Sequence, residues 1–361
     1  MRWAIALVCV ALAASPAQKR ARKGQNPDET QTLELPKELP LAVEGATRRL
    51  AFHVVPLSAK GLLSQQVRDG LKALSQQTGR DTVLHIRAFV AGAGDLRRVR
   101  DLVSETFTAR RQPLPALSLV QAGGLPLAGA QVLLEAVAES NRDLNPNGLA
   151  FFSPQPATSP DPLDPVAPLT AQSLARLTQT VKAAGVAPND VVRVTCYLSS
   201  LDNLAASRSL VAAEYPAAAI DYIRPQRAPA QALAACEAVA RLRRPPASRL
   251  EMASADDSGE SAAALFNAPQ VILTGVQTSF GYEEKDARLA LERLRDTLQQ
   301  AGASPAGVAY ARYYALSTAI AAQVRKIRPE FFRLPAGGLL LWEGLSSMDA
   351  GFAVDAVAAK D

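Results

Sequence analysis

The sequence predicts an α+β protein built from three tandem copies of one small module. Two observations predict it: one order of elements recurs three times, and three related strings close the copies. The strings are Glu135–Ala138 (EAVA), Glu237–Ala240 (EAVA) and Asp355–Ala358 (DAVA), spaced roughly 100–120 residues apart. Each copy runs as a short strand, an amphipathic helix, a glycine-containing turn, a strand, a second helix, a proline-marked strand and a closing strand.

The second copy is the most legible. Leu149–Gln155 (LAFFSPQ) reads as its first strand. Leu169–Gly185 reads as its first helix. There Leu174, Leu177 and Val181 fall on one face, and Gly185 supplies the C-terminal cap. Asn189–Leu198 alternates as a strand, Asn203–Tyr215 reads as the second helix, and Ala234–Ala240 closes the unit. The third copy repeats this with Gln270–Gln277, Asp286–Gly302, Gly307–Leu316, Ala322–Phe332 and Gly351–Ala359. The first copy uses Leu50–Pro56, Leu62–Gly79, Thr82–Val90, Asp95–Phe107 and Gln131–Glu139.

Composition fits packed modules. Hydrophobic residues make up 48% of the chain and charged residues 20%. The net charge of +5 is matched by Arg2, Lys19, Arg20, Arg22 and Lys23, all near the N-terminus. The remaining body is neutral and offers no electrostatic footprint for nucleic acid. The only histidines are His53 and His85, and CxxC and HExxH are missing, so no metal site is expected. A phosphate-binding glycine loop and a GxSxG elbow are also missing, and no cofactor is expected.

The N-terminus reads as a secretion signal over residues 1–17, with Arg2 ahead of the apolar run Trp3–Ala14. That run is too short to span a bilayer. Lys19–Lys23 (KRARK) opposes translocation, and an uncleaved anchor or a cytoplasmic chain is the alternative. Residues 18–45 read as a linker. The modules are then placed at residues 46–140, 146–243 and 249–360, separated by Asn141–Gly148 (NRDLNPNG) and Arg243–Arg249 (RRPPASR). Cys196 and Cys236 lie in apolar strands and admit two readings, a disulfide or two buried thiols.

The second-copy string AGVAPNDVVRVTCYL and the third-copy string AGASPAGVAYARYYAL resemble the RidA/YjgF-like family of imine deaminases. So does the first-copy run from Phe107 through PALSLVQAGGLP to VLLEAVA. The resemblance implies chorismate-mutase-like subunits. These are homotrimeric in the family, with clefts between neighbours. Three copies in one chain then imply an intrachain pseudo-trimer that is monomeric overall. It also implies two functional groups per site: an arginine for the substrate carboxylate and a glutamate that positions water. The arginine position falls on Leu117, Ala218 and Gly337. The glutamate position falls on Leu133, Ala235 and Ala353. No catalytic residue is therefore expected, and binding or scaffolding is the expected role, with a deaminase rebuilt from other residues as the rival.

Candidate binding residues come from the strand alternation. Arg87, Thr195 and Arg312 are equivalent, and each shares a face with Phe89, Tyr197 or Tyr314 two residues on. Arg87, Tyr197 and Arg312 are the candidates for holding a small anionic metabolite, each in a different cleft. The alternative is that Glu135, Glu237 and Asp355 satisfy the two cations internally. Arg100, Arg208 and Arg325 recur on the second helices and read either as cleft residues or as exposed helical arginines. Arg224 and Arg227 read as residues of a cleft mouth.

Overall fold

A computed structural model describes residues 35–92, 94–254 and 261–361. The expected signal segment and most of the expected linker lie outside the described residues. From residue 36 onward the chain forms one body that contains three sheets.

Each sheet carries the same four-strand order. In the first, Leu50–Val54 pairs with Val132–Glu139, which pairs with Thr82–Ala91, which pairs with Ala116–Ala122. In the second the order is Leu149–Ser159, Ala232–Arg241, Val191–Leu198 and Ala219–Ile223. In the third it is Gln270–Thr274, Ala350–Ala359, Val308–Ala315 and Ala336–Leu341. The last pair in each sheet is parallel, because a helix crosses between its strands; the other pairs are antiparallel. A β-bulge sits at the start of each middle strand, at Val83/His85, Val191/Arg193 and Val308/Tyr310. The bulges at equivalent places fix one side-chain phase for all three strands.

Two helices cover one face of each sheet. They are Leu63–Thr78 and Leu96–Ala109, then Val166–Ala183 and Leu204–Glu214, then Glu284–Gln300 and Thr318–Ile327. The last helix begins four residues before its expected start and gives way to a 3-10 turn at Arg328–Glu330. Pro329 there cannot supply the backbone donor that an α-helix needs. Alternate strand residues face these helices. Ile86, Ala88 and Val90 do so in the first sheet, Val194, Cys196 and Leu198 in the second, and Ala311, Tyr313 and Ala315 in the third. Cys196 and Cys236 are cross-strand partners and form a disulfide inside the second of these cores.

The other faces pack on one another. One apolar layer joins Leu50 and Val137, Phe151 and Val239, and Leu273 and Val357, drawing on all three sheets. A second joins Phe89, Tyr197 and Tyr314 around Trp342, whose ring centroid lies 5.4, 5.7 and 5.4 Å from theirs.

Two edge assignments differ from the expected boundaries. Ala42–Ala46, expected as the end of the linker and the first residue of the first module, is a strand paired with Gln270–Thr274 of the third sheet. Leu250–Ser254 and Ser261–Phe266, expected in the third copy, extend the second sheet through Ala263–Phe266. Both cover backbone edges that would otherwise stay unpaired, a requirement that composition does not reveal.

Candidate functional site

Between the two apolar layers lies a buried charged cluster. The bulges place His85, Arg193 and Tyr310 at equivalent positions on the inner faces, with Arg87, Thr195 and Arg312 two residues on. The latter three sit opposite Glu135, Glu237 and Asp355 of the closing strands. Arg87 and Glu135 are 2% and 1% exposed, so every charge here needs a partner within the protein.

The partners are present. Arg87 donates through Nε to Glu135 at 2.6 Å, through one terminal nitrogen to Tyr197 Oη at 3.1 Å and through the other to Glu237 at 3.2 Å. Arg312 donates to Glu237 at 3.4 Å and to Asp355 at 3.5 Å. Arg193 lies 3.5 Å from Glu135 and 3.7 Å from Glu237. Hydroxyls complete the set. Thr195 donates to Glu135 at 2.8 Å, Tyr310 to Glu237 at 2.7 Å, Tyr314 to Asp355 at 2.8 Å and Ser118 to Asp355 at 2.6 Å.

Burial alone would push the Glu135 and Glu237 carboxyls up. The guanidinium groups outweigh it, Arg87 foremost at Glu135 and Arg312 at Glu237, and both stay below their usual range. Asp221 goes the other way: burial and the Glu135 charge raise it well above an ordinary aspartate. Three guanidinium ions thus face three carboxylates. Burial lowers His85 to about 4, leaving it neutral near pH 7. Its Nε2 lies 3.1 Å from Ser118 Oγ, whose proton is already committed to Asp355, so Nε2 carries the ring hydrogen.

Arg87, Tyr197 and Arg312 are therefore brought together in one cluster, where three separate clefts were expected. The protein's own carboxylates hold both guanidinium groups, the alternative that the sequence left open. A cavity of about 20 Å³ among these side chains has room for a water molecule and not for a metabolite. Arg193, Asp221, Ser118 and Tyr310 belong to the cluster without having been singled out. For Arg193 the signal was available, since it lies two residues before Thr195 on the same strand face.

The remaining candidates are dispersed. Arg224 donates to the Gly123 carbonyl at 3.0 Å, and Arg227 pairs with Glu343 at 3.2 Å, so both tie loops together. Arg100 pairs at the surface with Asp101, and Arg208 lies over the Tyr222 ring. Among the described residues no group of three or more His, Cys, Asp or Glu side chains could hold a metal ion, and no helix is long and apolar enough to cross a membrane.

The strand register also locates the two family positions. Leu117, Ile220 and Gly337 are equivalent, each one residue before the partner of Arg87, Thr195 or Arg312. Ile220 thus replaces Ala218 as the second-copy arginine position; the short run Ala217–Ala219 gave no sequence landmark for counting. Leu133, Ala235 and Ala353 keep their expected places opposite Phe89, Tyr197 and Tyr314. The first and third sheets close against each other at Leu117, whose carbonyl accepts the Val276 N–H at 3.2 Å. The second and third sheets leave a cleft. One chamber of about 410 Å³ is bordered by both Ala235 and Gly337, and another of about 520 Å³ by Ser153, Arg176 and Gly337. Gly337 has φ +141°, and a Cβ there would lie 1.8 Å from the Ala311 carbonyl oxygen. Its N–H donates to Ser153 Oγ at 2.8 Å.

Comparison with known proteins gives one family. Residues 134–253 match the model of the Endoribonuclease L-PSP family. No curated protein matches the chain. Among solved structures, Rv2704 of Mycobacterium tuberculosis, a YjgF/YER057c/UK114 family member, is 23% identical over 25% of this chain and 78% of its own, with a TM-score of 0.24. NMB1025 of Neisseria meningitidis, a YjgF family member, is 16% identical over 31% of this chain and 95% of its own, with a TM-score of 0.24. YyfB of Yersinia pestis, of the Rid family, is 18% identical over 31% and 99%, with a TM-score of 0.26. Over residues 134–253 the chain is therefore similar to the Endoribonuclease L-PSP family.

Proposed function

We propose that this chain is an exported RidA-like protein whose three modules close into an intrachain pseudo-trimer and whose sites bind or scaffold without deaminating. One observation carries the reading. Leu117, Ile220 and Gly337, with Leu133, Ala235 and Ala353, leave every copy without a guanidinium or a carboxylate at the two positions the family's chemistry uses. An arginine fork grips a carboxylate through two parallel hydrogen bonds, and no apolar side chain can replace that contact.

The equivalent bulges, the shared strand order and the inner layers drawn from all three sheets support the pseudo-trimer. Fusion of a trimer into one chain frees each cleft to diverge, whereas a homotrimer must repeat one site three times. The apolar run near the N-terminus and the buried Cys196–Cys236 disulfide favour an oxidising compartment.

Ammonia release from freshly generated 2-aminoacrylate tests the central claim, and release at background is expected. Steady turnover would transfer the assignment to a rebuilt deaminase. Light scattering should find a monomer of about 36 kDa after signal removal, and an obligate trimer of chains would refute the closed ring.

A further inference from the structure

Two of the three sheets take a strand from a neighbouring copy, and the first sheet does not. In the third sheet Leu273 pairs with Val43 of Ala42–Ala46, and Gly275 donates its N–H to the Leu41 carbonyl at 2.8 Å. In the second sheet Phe151 pairs with Ala264 of Ser261–Phe266. The register against the closing strands makes Phe52 the equivalent of Phe151 and Leu273, and Val54 the equivalent of Gly275. Among the described residues no strand pairs with the outer edge of Leu50–Val54. We propose that this edge docks an extended peptide segment of another protein, which adds to the first sheet as an antiparallel strand with small side chains toward Phe52 and Val192.

The backbone supplies the first argument. Ser140 donates to Arg49 and Val55 donates to Leu134, so the groups of Leu50, Phe52 and Val54 turn away from the closing strand. Leu50 is satisfied locally: its N–H donates to Thr47 and its carbonyl accepts from Asn145 at 2.8 Å. The Val54 carbonyl accepts from Gln77 at 3.2 Å. The Phe52 N–H and carbonyl and the Val54 N–H have no partner among the described residues. A row of such groups is a template for one more strand.

The apolar floor supplies the second. Leu84, Val192 and Ala309 are the middle residues of the three equivalent bulges. Leu84 lies under Ala42–Ala46, close enough that a Cβ on Gly45 would meet its side chain at 2.3 Å, and it is 3% exposed. Ala309 is fully buried. Val192 is only half-buried. The same contrast holds for Phe52, which is half-buried where Phe151 and Leu273 are each 3% exposed. Phe52 and Val192 both pack against the inner layer from its rim, so a strand laid over them would continue the interface between the first and second modules.

The counterparts fix the chemistry of the occupant. Opposite the Phe52 position they carry Val43 and Ala264, so the place takes a small side chain. A second copy offering its own Leu50–Val54 would set Phe52 against Phe52 there. The chain supplies no strand of its own from the nearest connection, because residues 140–148 run directly from one sheet to the next, with Leu144 and Asn145 held on the Arg48 carbonyl. The corresponding connection, residues 242–269, includes the strand Ser261–Phe266.

The test is amide hydrogen exchange read by NMR on the full mature chain, with the acetylated and amidated hexapeptide LAVEGA, the sequence of Leu41–Ala46, as the probe strand. Without peptide the Phe52 and Val54 amides should exchange at least about tenfold faster than those of Phe151, Leu273 and Gly275. Millimolar peptide should slow both by about tenfold or more, and a peptide carrying Val43→Pro, which lacks the N–H for the Phe52 carbonyl, should not. In the protein, Val54→Pro removes the outward donor at an edge position that tolerates proline, and it should weaken the peptide about tenfold. Val192→Trp fills the floor and should abolish binding. Exchange at Phe52 and Val54 as slow in the free chain as at their equivalents would overturn the proposal, because the edge would then already be covered. Truncation before Leu35 and light scattering would show whether this chain or a second copy covers it. An inert LAVEGA peptide, equal protection by the proline peptide, or binding unchanged in both protein variants would also overturn it. No step of this test reads ammonia release, so the proposal stands or falls independently of the deaminase question.

Discussion

Replacing Glu237 with glutamine should destabilise the protein more than any single surface change. Glu237 is the hub of the buried cluster. Its Oε1 lies 3.2 Å from Arg87, 3.4 Å from Arg312 and 3.7 Å from Arg193, while its Oε2 accepts from Tyr310 at 2.7 Å. Glutamine keeps the shape and removes the charge, leaving three guanidinium ions against two carboxylates. Its amide also turns an N–H toward either the guanidinium groups or the Tyr310 hydroxyl. Breaking a buried ion pair by neutralising one member costs roughly 3–5 kcal/mol, because the remaining charge has no solvent to replace its partner. In a body of this size the melting temperature should fall by roughly 6–15 °C. The assay is thermal unfolding followed by circular dichroism at pH 7. Glu105→Gln serves as the control. Its partner Arg98 lies 2.7 Å away with both side chains over a third exposed, and such a pair is worth about 1 kcal/mol or less. A Glu237→Gln melting temperature within about 2 °C of the parent would refute the claim that these carboxylates neutralise the inner faces.

Other perturbations follow from single contacts. His85 is ordinarily half-protonated at 6.5, but burial lowers it to about 4. The unfolded chain therefore takes up the proton first. Stability conferred by the neutral ring is complete above pH 6.5 and drains away as pH falls toward 4, by roughly 3 kcal/mol. Urea titrations across that window should show the loss in the parent and not in His85→Asn; equal slopes would refute it. Gly337→Arg returns the family's residue to its position, yet it forces a side chain onto φ +141° and a Cβ to within 1.8 Å of the Ala311 carbonyl oxygen. It should cost at least about 3 kcal/mol and yield no ammonia release; a stable, active variant would show that only the side chain had been missing. Removing the disulfide with paired Cys196→Ala and Cys236→Ala changes frees a segment with a sequence separation of 40 residues. A loss of about 2–4 kcal/mol is expected, read as a shift in the urea midpoint, and an unshifted midpoint would refute the cross-link's contribution.

The sequence by itself determined the repeated element order and the phase of the strands. Apolar spacing placed the helices, and the two-residue alternation put Arg87, Thr195 and Arg312 on the face opposite Cys196 and Tyr313. Both signals are local, because helix and strand periods are set by backbone geometry within a few residues. The empty family positions were legible as well, except in the second copy, where Ala217–Ala219 lacked a landmark and only the pairing of Arg193 with Ala219 identified Ile220. Tertiary structure alone decided the partners. Whether Arg87 meets an incoming anion or Glu135 and Glu237 depends on residues 48 and 150 positions away in the chain. The strands after residue 249 join the second sheet for the same reason: a sheet edge accepts whichever strand lies beside it, and sequence composition does not encode that proximity. The cleft between the second and third sheets is likewise a tertiary outcome. Ala235 and Gly337 are unremarkable small residues in their own strands, and they border one gap only because packing sets them on two sides of it.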